Sequence, residues 1–378
     1  MSQFKPNRRF FSTIVGSATA IAAVLAGGQA LTAAPAGAAT PAIDITSPLI
    51  AFSAEGTLWT KCTTSTASCG AGGSVGPYST NSALAIATGT SPAVAFTEVG
   101  GDTYEEAFQG GNGDLWIRGS LGTKDLGLAM RPGTSPAISS DGGSGGGLAI
   151  AFQTAAGTLD TTEISATGAV TTTATGLPMD TKSSPAIAGL ATGYEVAYQT
   201  NYGHLATTGS NGVTTDTYKI MRAGTSPSIT KDQGGTGYQV AFQGNDDNLQ
   251  TTGNLGTENF GLPMDDQSSP SIVNLTATTY EIAYQTNYGH LAVYASSAGV
   301  QTDTYNIMRA GTTPSITGFT VLLPLSSPSL RVPVSEFEVA YQTNTGVLDL
   351  DVDGTSNINL GGGINASPAS ANGFRYLP

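Results

Sequence analysis

The pattern of apolar and polar residues along the chain is that of short β-strands. The segment YEVAYQT at 194–200 alternates between the two residue classes, and relatives of it recur as LAIAFQT, YQVAFQG, YEIAYQT and FEVAYQT. Such alternation over a few residues is typical of a strand with one buried face. Turn sequences such as NYG and NG follow these segments, which predicts hairpins. The 50 glycines, the many threonines and serines and the 11% of charged residues favour strands and turns over helices.

A small residue followed by proline opens one strand in each of seven repeats. Successive prolines are 44, 49, 42, 43, 44 and 54 residues apart. Proline is tolerated at the first residue of a strand, where a missing N–H costs least. A period of this length matches one four-stranded antiparallel blade of a β-propeller. The prolines are Pro92, Pro136, Pro185, Pro227, Pro270, Pro314 and Pro368.

The two ends of the chain carry complementary parts of one repeat. Residues 47–90 lack a first strand, whereas residues 367–372 form a first strand with nothing after it. Joining them hides two strand edges that would otherwise be exposed. The sequence therefore predicts an all-β, seven-bladed β-propeller at 47–378, closed by the C-terminal strand that completes the N-terminal blade. The alignment of the repeats is weakest at 318–335, where Pro328 is an alternative to Pro314 as the residue that opens a strand.

The first 38 residues differ from the repeats and predict an export signal. Lys5, Arg8 and Arg9 precede an apolar stretch that ends in small residues at 36–38. This order is that of a secretory signal peptide, and the arginine pair also fits the twin-arginine type. A membrane anchor is the competing interpretation, but the apolar run is short for one. We expect a linker at 39–46 and a secreted, extracellular protein with no membrane span after signal removal.

Charge and cysteine content narrow the class of partner. The chain has 27 acidic and 14 basic residues, a formal net charge of −13, and no basic cluster. Such a surface repels phosphate backbones, so nucleic acid is not expected as a partner. The two cysteines, Cys62 and Cys69, are close in sequence, and in an exported protein such a pair predicts a small-loop disulfide. A metal site would need further ligands at matching spacing.

The segment YQTNYGHLA occurs at 198–206 and again at 284–292, and it contains both histidines of the chain. In a propeller these turns should lie on the same face as the MRAG segments that lead into the next blade. An aromatic ring, an imidazole, an amide and a guanidinium suit a sugar, which has one apolar face and many hydroxyls. The predicted ligand-binding residues at the two turns are Asn201, Tyr202, His204, Arg222, Asn287, Tyr288, His290 and Arg309.

A plainer interpretation of the histidines stays open. The equivalent position holds threonine in two repeats and aspartate, asparagine and valine in the others. That variety is also typical of an exposed strand end with no ligand. The two histidines would then record only the duplication of a two-blade unit.

The segment DLDVDG at 349–354 resembles a D-x-D-x-D-G calcium loop, with Asp349, Asp351 and Asp353 as candidate ligands. Residue 360, where a bidentate glutamate would close the coordination shell, is leucine. The alternative is that these aspartates point outward from a strand into an Asp-Gly hairpin turn and bind no metal. No other cofactor is indicated.

Catalytic signatures are absent from the sequence. No Ser/His/Asp order with a G-x-S-x-G elbow appears, and there is no P-loop or H-E-x-x-H motif. A glycosidase needs two carboxyls facing each other across a pocket. Asp180 and Asp265 are candidates, whereas Glu195 and Glu281 alternate along second strands and are interpreted as framework. The protein is therefore expected not to be an enzyme.

Three short motifs suggest relatives. SSPA at 183–186 opens a first strand, and TLW at 57–59 and DLW at 114–116 open third strands. These resemble the repeat of seven-bladed β-propeller lectins of the bacterial fucose-binding type. The GTSP…AFQ…L unit also resembles secreted actinobacterial repeat proteins of mostly unassigned role.

The lectin resemblance implies sugar pockets between blades that are lined by third-strand aromatics. Trp59 and Trp116 occupy that position, whereas the other five units have Asp160, Ala206, Gln250, Ala292 and Asp349. The resemblance implies a secreted, non-catalytic carbohydrate-binding propeller whose partners are glycans or cell-surface saccharides. The alternatives are a structural or protein-interaction propeller of the extracellular space and a glycan-processing hydrolase.

Overall fold

The structure, a computed structural model, describes residues 49–62, 78–97, 104–141, 147–232, 234–324, 331–354 and 356–371. These residues form 28 strands arranged as seven four-stranded antiparallel sheets. Each sheet is one blade, and the innermost strands of successive blades are in contact around the ring. This confirms the predicted all-β, seven-bladed propeller. Within the described ranges no helix is long and apolar enough to cross a membrane.

The strands follow the repeat. Blade 1 contains β1 (Leu49–Ala54), β2 (Thr57–Cys62) and β3 (Tyr78–Ala85). Blade 2 contains β4 (Ala93–Phe96), β5 (Tyr104–Gln109), β6 (Asp114–Gly119) and β7 (Gly122–Ala129). Blade 3 contains β8 (Ala137–Asp141), β9 (Gly147–Gln153), β10 (Thr158–Ile164) and β11 (Val170–Pro178). Blade 4 contains β12 (Ala186–Gly189), β13 (Tyr194–Gln199), β14 (His204–Gly209) and β15 (Thr214–Ile220).

The remaining blades have the same order. Blade 5 contains β16 (Ser228–Lys231), β17 (Tyr238–Gln243), β18 (Asn248–Gly253) and β19 (Glu258–Pro263). Blade 6 contains β20 (Ser271–Asn274), β21 (Tyr280–Gln285), β22 (His290–Ala295) and β23 (Val300–Ile307). Blade 7 contains β24 (Ser315–Pro324), β25 (Arg331–Gln342), β26 (Val347–Val352) and β27 (Ser356–Gly363), and β28 (Ala369–Ala371) follows it.

The ring closes as the sequence predicts. Strand β28 pairs antiparallel with β1, with Ala371 opposite Leu49 and Ala369 opposite Ala51, so the C-terminal strand is the innermost strand of blade 1. In blade 7, β24 starts directly after Pro314, which therefore opens the strand, while Pro328 lies outside the described residues. The additional residues of blade 7 lengthen the β24–β25 hairpin.

The apolar core is divided among the interfaces between blades. The five methionines that precede innermost strands are each 1 or 2% exposed. Each makes a backbone bridge to the residue that follows the second strand of the next blade, as between Met221 and Gly244. They pack blade against blade. These residues are Met130, Met179, Met221, Met264 and Met308.

A belt of hydroxyl groups joins the innermost strands. At six successive junctions the backbone N–H of one residue donates to the hydroxyl of the equivalent residue one blade on, at 2.8 to 3.3 Å. Each member stands immediately before a strand-opening proline. We call this set the hydroxyl belt. Its members are Ser91, Ser135, Ser184, Ser226, Ser269, Thr313 and Ser367.

Further bonds of the same kind join the inner strands themselves. The N–H of Gly189 donates to Ser139 Oγ at 2.8 Å, and the N–H of Ser370 donates to Ser315 Oγ at 2.9 Å. A Cβ at Gly189 would overlap the carbonyl oxygen of Ser140. Only glycine therefore lets these two strands approach so closely.

Second strands of four blades carry a glutamate, which is buried in three of them and half-buried at Glu195. Burial raises the pKa of Glu105 to about 7 and that of Glu338 to about 8. Burial, and to a smaller extent the charge of Asp353, raises the pKa of Glu281 to about 8. Burial also raises the pKa of Glu195. One oxygen each of Glu105, Glu281 and Glu338 has no hydrogen-bond partner among the described residues. These side chains are therefore accommodated best when protonated.

Blade 5 has a glutamine in place of this glutamate. The Nε2 of Gln239 donates to the carbonyl oxygen of Gly256 at 2.8 Å, and its Oε1 accepts the N–H of Leu255 at 3.0 Å. The equivalent bond in blade 2 runs from the N–H of Leu121 to Glu105 Oε2 at 3.1 Å. A neutral side chain of this shape therefore fits the same position.

The hydroxyl belt predicts a cost for removing one hydroxyl. Replacing Ser226 with alanine leaves the N–H of Ser184 without its acceptor, which should lower the free energy of unfolding by about 1 kcal/mol. Ser226→Thr is the matched control, because Thr313 holds the same place in blade 7. Urea denaturation should rank wild type and Ser226→Thr together above Ser226→Ala. Equal stability of the two variants would contradict a role for the hydroxyl.

The buried glutamates predict a stability that falls as the pH rises. Their folded pKa values lie above the ordinary value of 4.5, so between about pH 4.5 and pH 8 the folded state binds more protons than the unfolded state. The melting temperature should therefore decrease across this window and level off above it. Glu281→Gln together with Glu338→Gln should flatten the profile. A slope as steep as that of wild type in this double variant would refute the assignment.

Candidate functional site

One hairpin geometry recurs at the junction of second and third strands. In blade 4 the turn closes with the N–H of Gly203 donating to the carbonyl oxygen of Thr200 at 2.9 Å. Gly203 has φ of 84°, a conformation that favours glycine. The N–H of Met221, in the loop toward blade 5, donates to the carbonyl oxygen of Gly203 at 2.9 Å. The turns and the inter-blade loops therefore meet on one face of the ring, as predicted.

A β-bulge in the outermost strand places a second exposed position beside each turn. In blade 4 the register between β14 and β15 shifts between Leu205 and Ala206. Asp216 Oδ1 accepts the N–H of Tyr218 at 2.8 Å, and Tyr218 has φ of 55°. All seven blades have a left-handed residue here, in chain order Ala83, Gly127, Gly176, Tyr218, Gly261, Tyr305 and Gly361.

Only blades 4 and 6 hold a large side chain at this left-handed position. A tyrosine there costs backbone energy that glycine avoids. The ring of Tyr218 is nevertheless 78% exposed and that of Tyr305 is 76% exposed. The strain is therefore not offset by burying these rings in the core.

Each tyrosine ring lies beside a histidine that is held by an aspartate. His204 Nδ1 lies 3.0 Å from Asp216 Oδ2, and the His204 ring centroid lies 5.8 Å from that of Tyr218. Because a carboxylate only accepts, this contact places a proton on Nδ1. The other ring nitrogen, Nε2, has no hydrogen-bond partner within the described ranges. The bonds from His204 and from the N–H of Tyr218 hold the pKa of Asp216 below its ordinary value.

Blade 6 repeats this arrangement. His290 Nδ1 lies 3.1 Å from Asp303 Oδ2, and the His290 and Tyr305 ring centroids are 5.7 Å apart. The register places Ile307 opposite His290, just as Ile220 lies opposite His204. Both isoleucines are about half exposed. We call His204, Asp216, Tyr218 and Ile220 the blade-4 site and His290, Asp303, Tyr305 and Ile307 the blade-6 site.

The structure places the other predicted residues in the turns that precede the two histidines. Tyr202 and Tyr288 are 80% and 78% exposed at the tips of their turns. The N–H of Asn201 donates to the carbonyl oxygen of Pro178 at 3.2 Å. Asn287 lines an open groove of about 390 Å³ together with Asp265, Asp266 and Gln267 of the loop into blade 6.

The predicted arginines belong to the loops between blades, and no described contact joins them to a histidine. Arg222 forms an ion pair with Asp247 in the turn of blade 5, and its Nη2 lies 3.3 Å from Asp266 Oδ2. Arg309 lies against the turn of blade 7, because a Cβ at Gly346 would be 3.5 Å from its Nη1. The predicted grouping of arginine with tyrosine and histidine is therefore replaced by an aspartate–histidine–tyrosine grouping.

Each of the two tryptophans makes its hydrogen bond and its ring stacking within its own hairpin. Trp59 Nε1 donates to the carbonyl oxygen of Ala54 at 3.1 Å, and its ring stacks on Phe52. Trp116 Nε1 donates to Asn112 Oδ1 at 3.0 Å, and its ring stacks on Phe108. Their indole N–H groups are therefore already hydrogen-bonded within the hairpin. Only part of each half-buried ring is accessible to a ligand.

The candidate calcium ligands do not gather as the motif suggests. Among the described residues there is no group of three or more histidine, cysteine, aspartate or glutamate side chains that could hold a metal ion. Asp349 Oδ2 accepts from Asn357 at 3.2 Å, and Asp351 Oδ1 accepts the N–H of Gly354 at 2.8 Å. Both side chains are buried, so the alternative of outward-pointing aspartates is also wrong for these two. Asp353, with φ of 59°, lies in the turn between β26 and β27.

Three predictions fall outside the described residues. The signal peptide at 1–38 and the linker at 39–46 lie there, and so does Cys69. The disulfide between Cys62 and Cys69 therefore stays a prediction.

Sequence reasoning singled out the histidines but missed their partners. Asp216 and Tyr218, like Asp303 and Tyr305, stand in the segment TDTY, which precedes both MRAG copies. Its duplication in the two histidine blades was a usable signal. Only the hairpin register, however, shows that this segment lies across from the histidine.

Comparison with known proteins finds similar folds among solved structures. No protein-family model matches the chain, and no curated protein matches it. Among solved structures, the BP39L lectin from Burkholderia pseudomallei has a TM-score of 0.58 and 16% identity, covering 84% of this chain and 94% of that one.

Two further structures are similar at lower scores. AofleA from Arthrobotrys oligospora has a TM-score of 0.49 and 12% identity, over 89% of this chain and 92% of that one. The fucose-specific lectin from Aleuria aurantia has a TM-score of 0.48 and 14% identity, over 71% of this chain and 94% of that one. At 16% identity the likeness to the BP39L lectin concerns the fold, and the resemblance to lectin propellers is confirmed at that level.

Proposed function

We propose that this protein is a secreted, non-catalytic, carbohydrate-binding propeller that holds sugars at the blade-4 and blade-6 sites. One observation carries the proposal. Tyr218 and Tyr305 are kept in a left-handed conformation with their rings in solvent, although four other blades have glycine and one has alanine at the same place. Backbone strain that packing does not require is typical of a residue with a functional role.

The chemistry of the two sites fits a sugar ring. An exposed tyrosine face and a half-exposed isoleucine offer an apolar platform for the C–H face of a pyranose. The imidazole beside them is oriented by its aspartate, and with the ring proton on Nδ1, Nε2 can accept a hydrogen bond from a hydroxyl. The acidic character of the chain, with 27 acidic against 14 basic residues, favours neutral sugars over uronic or sialic acids.

Differences among the blades support the same location. The framework repeats with little change, whereas a histidine at the start of the third strand occurs together with a tyrosine at the left-handed position in blades 4 and 6. The large, exposed residues of this region are confined to blades 4 and 6 in the part of the chain that the structure describes. The lectin-like fold of the ring agrees with a role in binding.

A glycan array tests the proposal. The mature protein should bind neutral sugars on an array of fucose, mannose, galactose and cell-wall glycans. The double variant Tyr218→Gly with Tyr305→Gly should lose at least about tenfold in signal, because each platform is removed. Its stability should be unchanged or higher by about 1 kcal/mol per site, because glycine relieves the left-handed strain.

The control keeps both sites intact. Val213 and Val300 are exposed apolar residues of the same two hairpins, near the turn between β14 and β15 and the turn between β22 and β23. Val213→Gly with Val300→Gly should bind as wild type does. Equal binding by the double tyrosine variant would exclude these sites. If the wild-type protein binds no glycan on the array, the protein-interaction alternative is favoured.

A further inference from the structure

The outermost strands of blades 4 and 6 differ in one residue of their shared motif. TDTYKI at 215–220 and TDTYNI at 302–307 supply the aspartate, tyrosine and isoleucine of the two sites and differ only at Lys219 and Asn306. The sites themselves have the same geometry, with histidine–aspartate distances of 3.0 and 3.1 Å and tyrosine φ angles of 55° and 59°. A difference in behaviour between them must therefore come from what these strands contact.

Asn306 joins the blade-6 site to the next blade. Its Nδ2 donates to Asp351 Oδ2 of β26 at 3.2 Å, across the interface between blades 6 and 7. We call this hydrogen bond the tether. Asn306 lies between Tyr305 and Ile307, so the tether holds the segment in which Tyr305 has its left-handed conformation. In blade 4, no contact among the described residues joins the ammonium group of Lys219 to blade 5.

The acceptor of the tether belongs to a group of carboxyls. Asp351 is 2% exposed, and its Oδ1 accepts the N–H of Gly354 at 2.8 Å. Glu336 of β25 makes a side-chain hydrogen bond with Asp353, which lies in the turn after β26. From blade 6, Glu281 lies near enough for the charge of Asp353 to act on it. Glu281 is 5% exposed, and its Oε2 has no hydrogen-bond partner among the described residues.

Neutral side chains stand at the equivalent places in blade 5. By strand register, Thr252 takes the place of Asp351. Asn254 takes the place of Asp353, because each donates its backbone N–H to the second strand of its own blade, at 2.9 and 3.1 Å. Of the two sites, only the blade-6 site is therefore joined to this kind of carboxyl group.

The pKa values of these carboxyls lie on both sides of neutrality. Burial raises the pKa of Asp351 to about 6, although the N–H of Gly354 opposes the shift and the charge of Asp353 adds to it. Burial, together with the nearby Asp353, raises the pKa of Glu281 and that of Glu336 to about 8. Between about pH 6 and pH 8, Asp351 is therefore ionised while the two glutamates keep their protons.

The other titratable groups around the tether add no cation that could offset this charge. Burial and the neighbouring acids raise the pKa of Tyr294, which is near Glu281, and that of Tyr341, which is near Asp351. No ion pair among the described residues joins the carboxyls of this interface to a lysine or arginine. The remaining titratable groups on the described parts of these strands are His290, Asp303, Tyr305, Glu338 and Asp349.

We propose that the tether holds the blade-6 site in its binding conformation and depends on protons at the interface between blades 6 and 7, whereas the blade-4 site has no such control. The ligand is that of the proposed function, on which this inference rests. A tyrosine in a left-handed conformation persists only where its surroundings hold it there. The tether supplies such a hold in blade 6 alone.

Protons act on the tether in two ways. An ionised Asp351 accepts a stronger, charge-assisted hydrogen bond than a protonated one, so the tether weakens below about pH 6. Above about pH 8, Glu281 and Glu336 lose their protons, and Glu281 of blade 6 then repels the carboxylates of blade 7. The tether crosses this same interface and is lost when the two blades separate there.

The tether should raise the affinity of the blade-6 site. A site that is already in its binding conformation loses no affinity to other conformations. The blade-6 site should therefore bind more tightly than the blade-4 site between about pH 6 and pH 8. Outside this window the two sites should have equal affinity.

Hydrogen exchange tests the tether without a ligand. Peptides covering 215–221 and 302–308 of the wild-type protein are compared at about pH 5, pH 7 and pH 9, and their near-identical sequences give similar intrinsic exchange rates. At about pH 7 the blade-6 segment should exchange about tenfold more slowly, because the tether adds a hydrogen bond to a charged group. The difference should disappear at about pH 5 and at about pH 9.

Two variants identify the contact responsible. Asn306→Ala should remove the difference in exchange at every pH, because the donor of the tether is lost. Lys219→Ala is the matched control in blade 4 and should change nothing. Equal exchange of the two wild-type segments at neutral pH, or a difference that persists in Asn306→Ala, would overturn the inference.

Calorimetric titration with the methyl glycosides of fucose, mannose and galactose measures the effect on binding. Tyr218→Gly leaves only the blade-6 site, and Tyr305→Gly leaves only the blade-4 site. At about pH 7 the Kd of the blade-6 site should be about tenfold lower, and at about pH 9 the two Kd values should be equal. Adding Glu281→Gln and Glu336→Gln to Tyr218→Gly should keep the lower Kd at high pH, because neither side chain can then become charged.

The two measurements separate this inference from the proposed function. If wild type binds none of the glycosides but the exchange differs as expected, the proposed function fails and the proton-dependent tether stands. If both single-site variants bind with the same Kd at neutral pH, the tether does not control the site. The inference is then overturned and the proposed function stands.

Discussion

The ring depends on a hydrogen bond from the backbone of one blade to a hydroxyl of the next. Each bond of the hydroxyl belt joins residues one repeat apart, at separations from 42 to 54 residues, yet the bond lengths stay between 2.8 and 3.3 Å. The following proline has no N–H of its own to satisfy. Differences in repeat length must therefore be absorbed away from the belt, as in the long β24–β25 hairpin of blade 7.

Side chains also vary from blade to blade at the turn after the second strand and at the bulge in the outermost strand. The bond that closes the turn is made within the hairpin, as from the N–H of Gly203 to the carbonyl oxygen of Thr200. At this turn, the residue after the second strand and the third residue of the third strand are matched in size. Blade 2 pairs Trp116 with Gly110 and blade 5 pairs Gln250 with Gly244, since a Cβ at either glycine would overlap the larger side chain. Blades 4 and 6 use the same freedom to project a tyrosine.

Buried charge in this framework is offset by a proton or by an ion pair, as between Glu106 and Arg118. Glutamates on second strands are buried between blades, and desolvation raises the pKa of three of them to about 7 or 8. Gln239 shows that a neutral side chain fits that position. Stability should therefore depend on pH through these buried glutamates.

The sequence by itself determined the number of blades, the four-strand repeat and the closure of the ring. These features depend on the alternation of apolar and polar residues and on the length of the repeat, and both can be read directly from the sequence. It also singled out His204 and His290 as unusual. Only the tertiary structure decided which residues surround them. Arg222 was predicted beside His204 but bridges to Asp247 and Asp266, while Asp216 and Tyr218 were not predicted and lie beside it. The physical reason is that a β-bulge shifts the register of the outermost strand, and a shift of one residue changes which side chains meet across a hairpin.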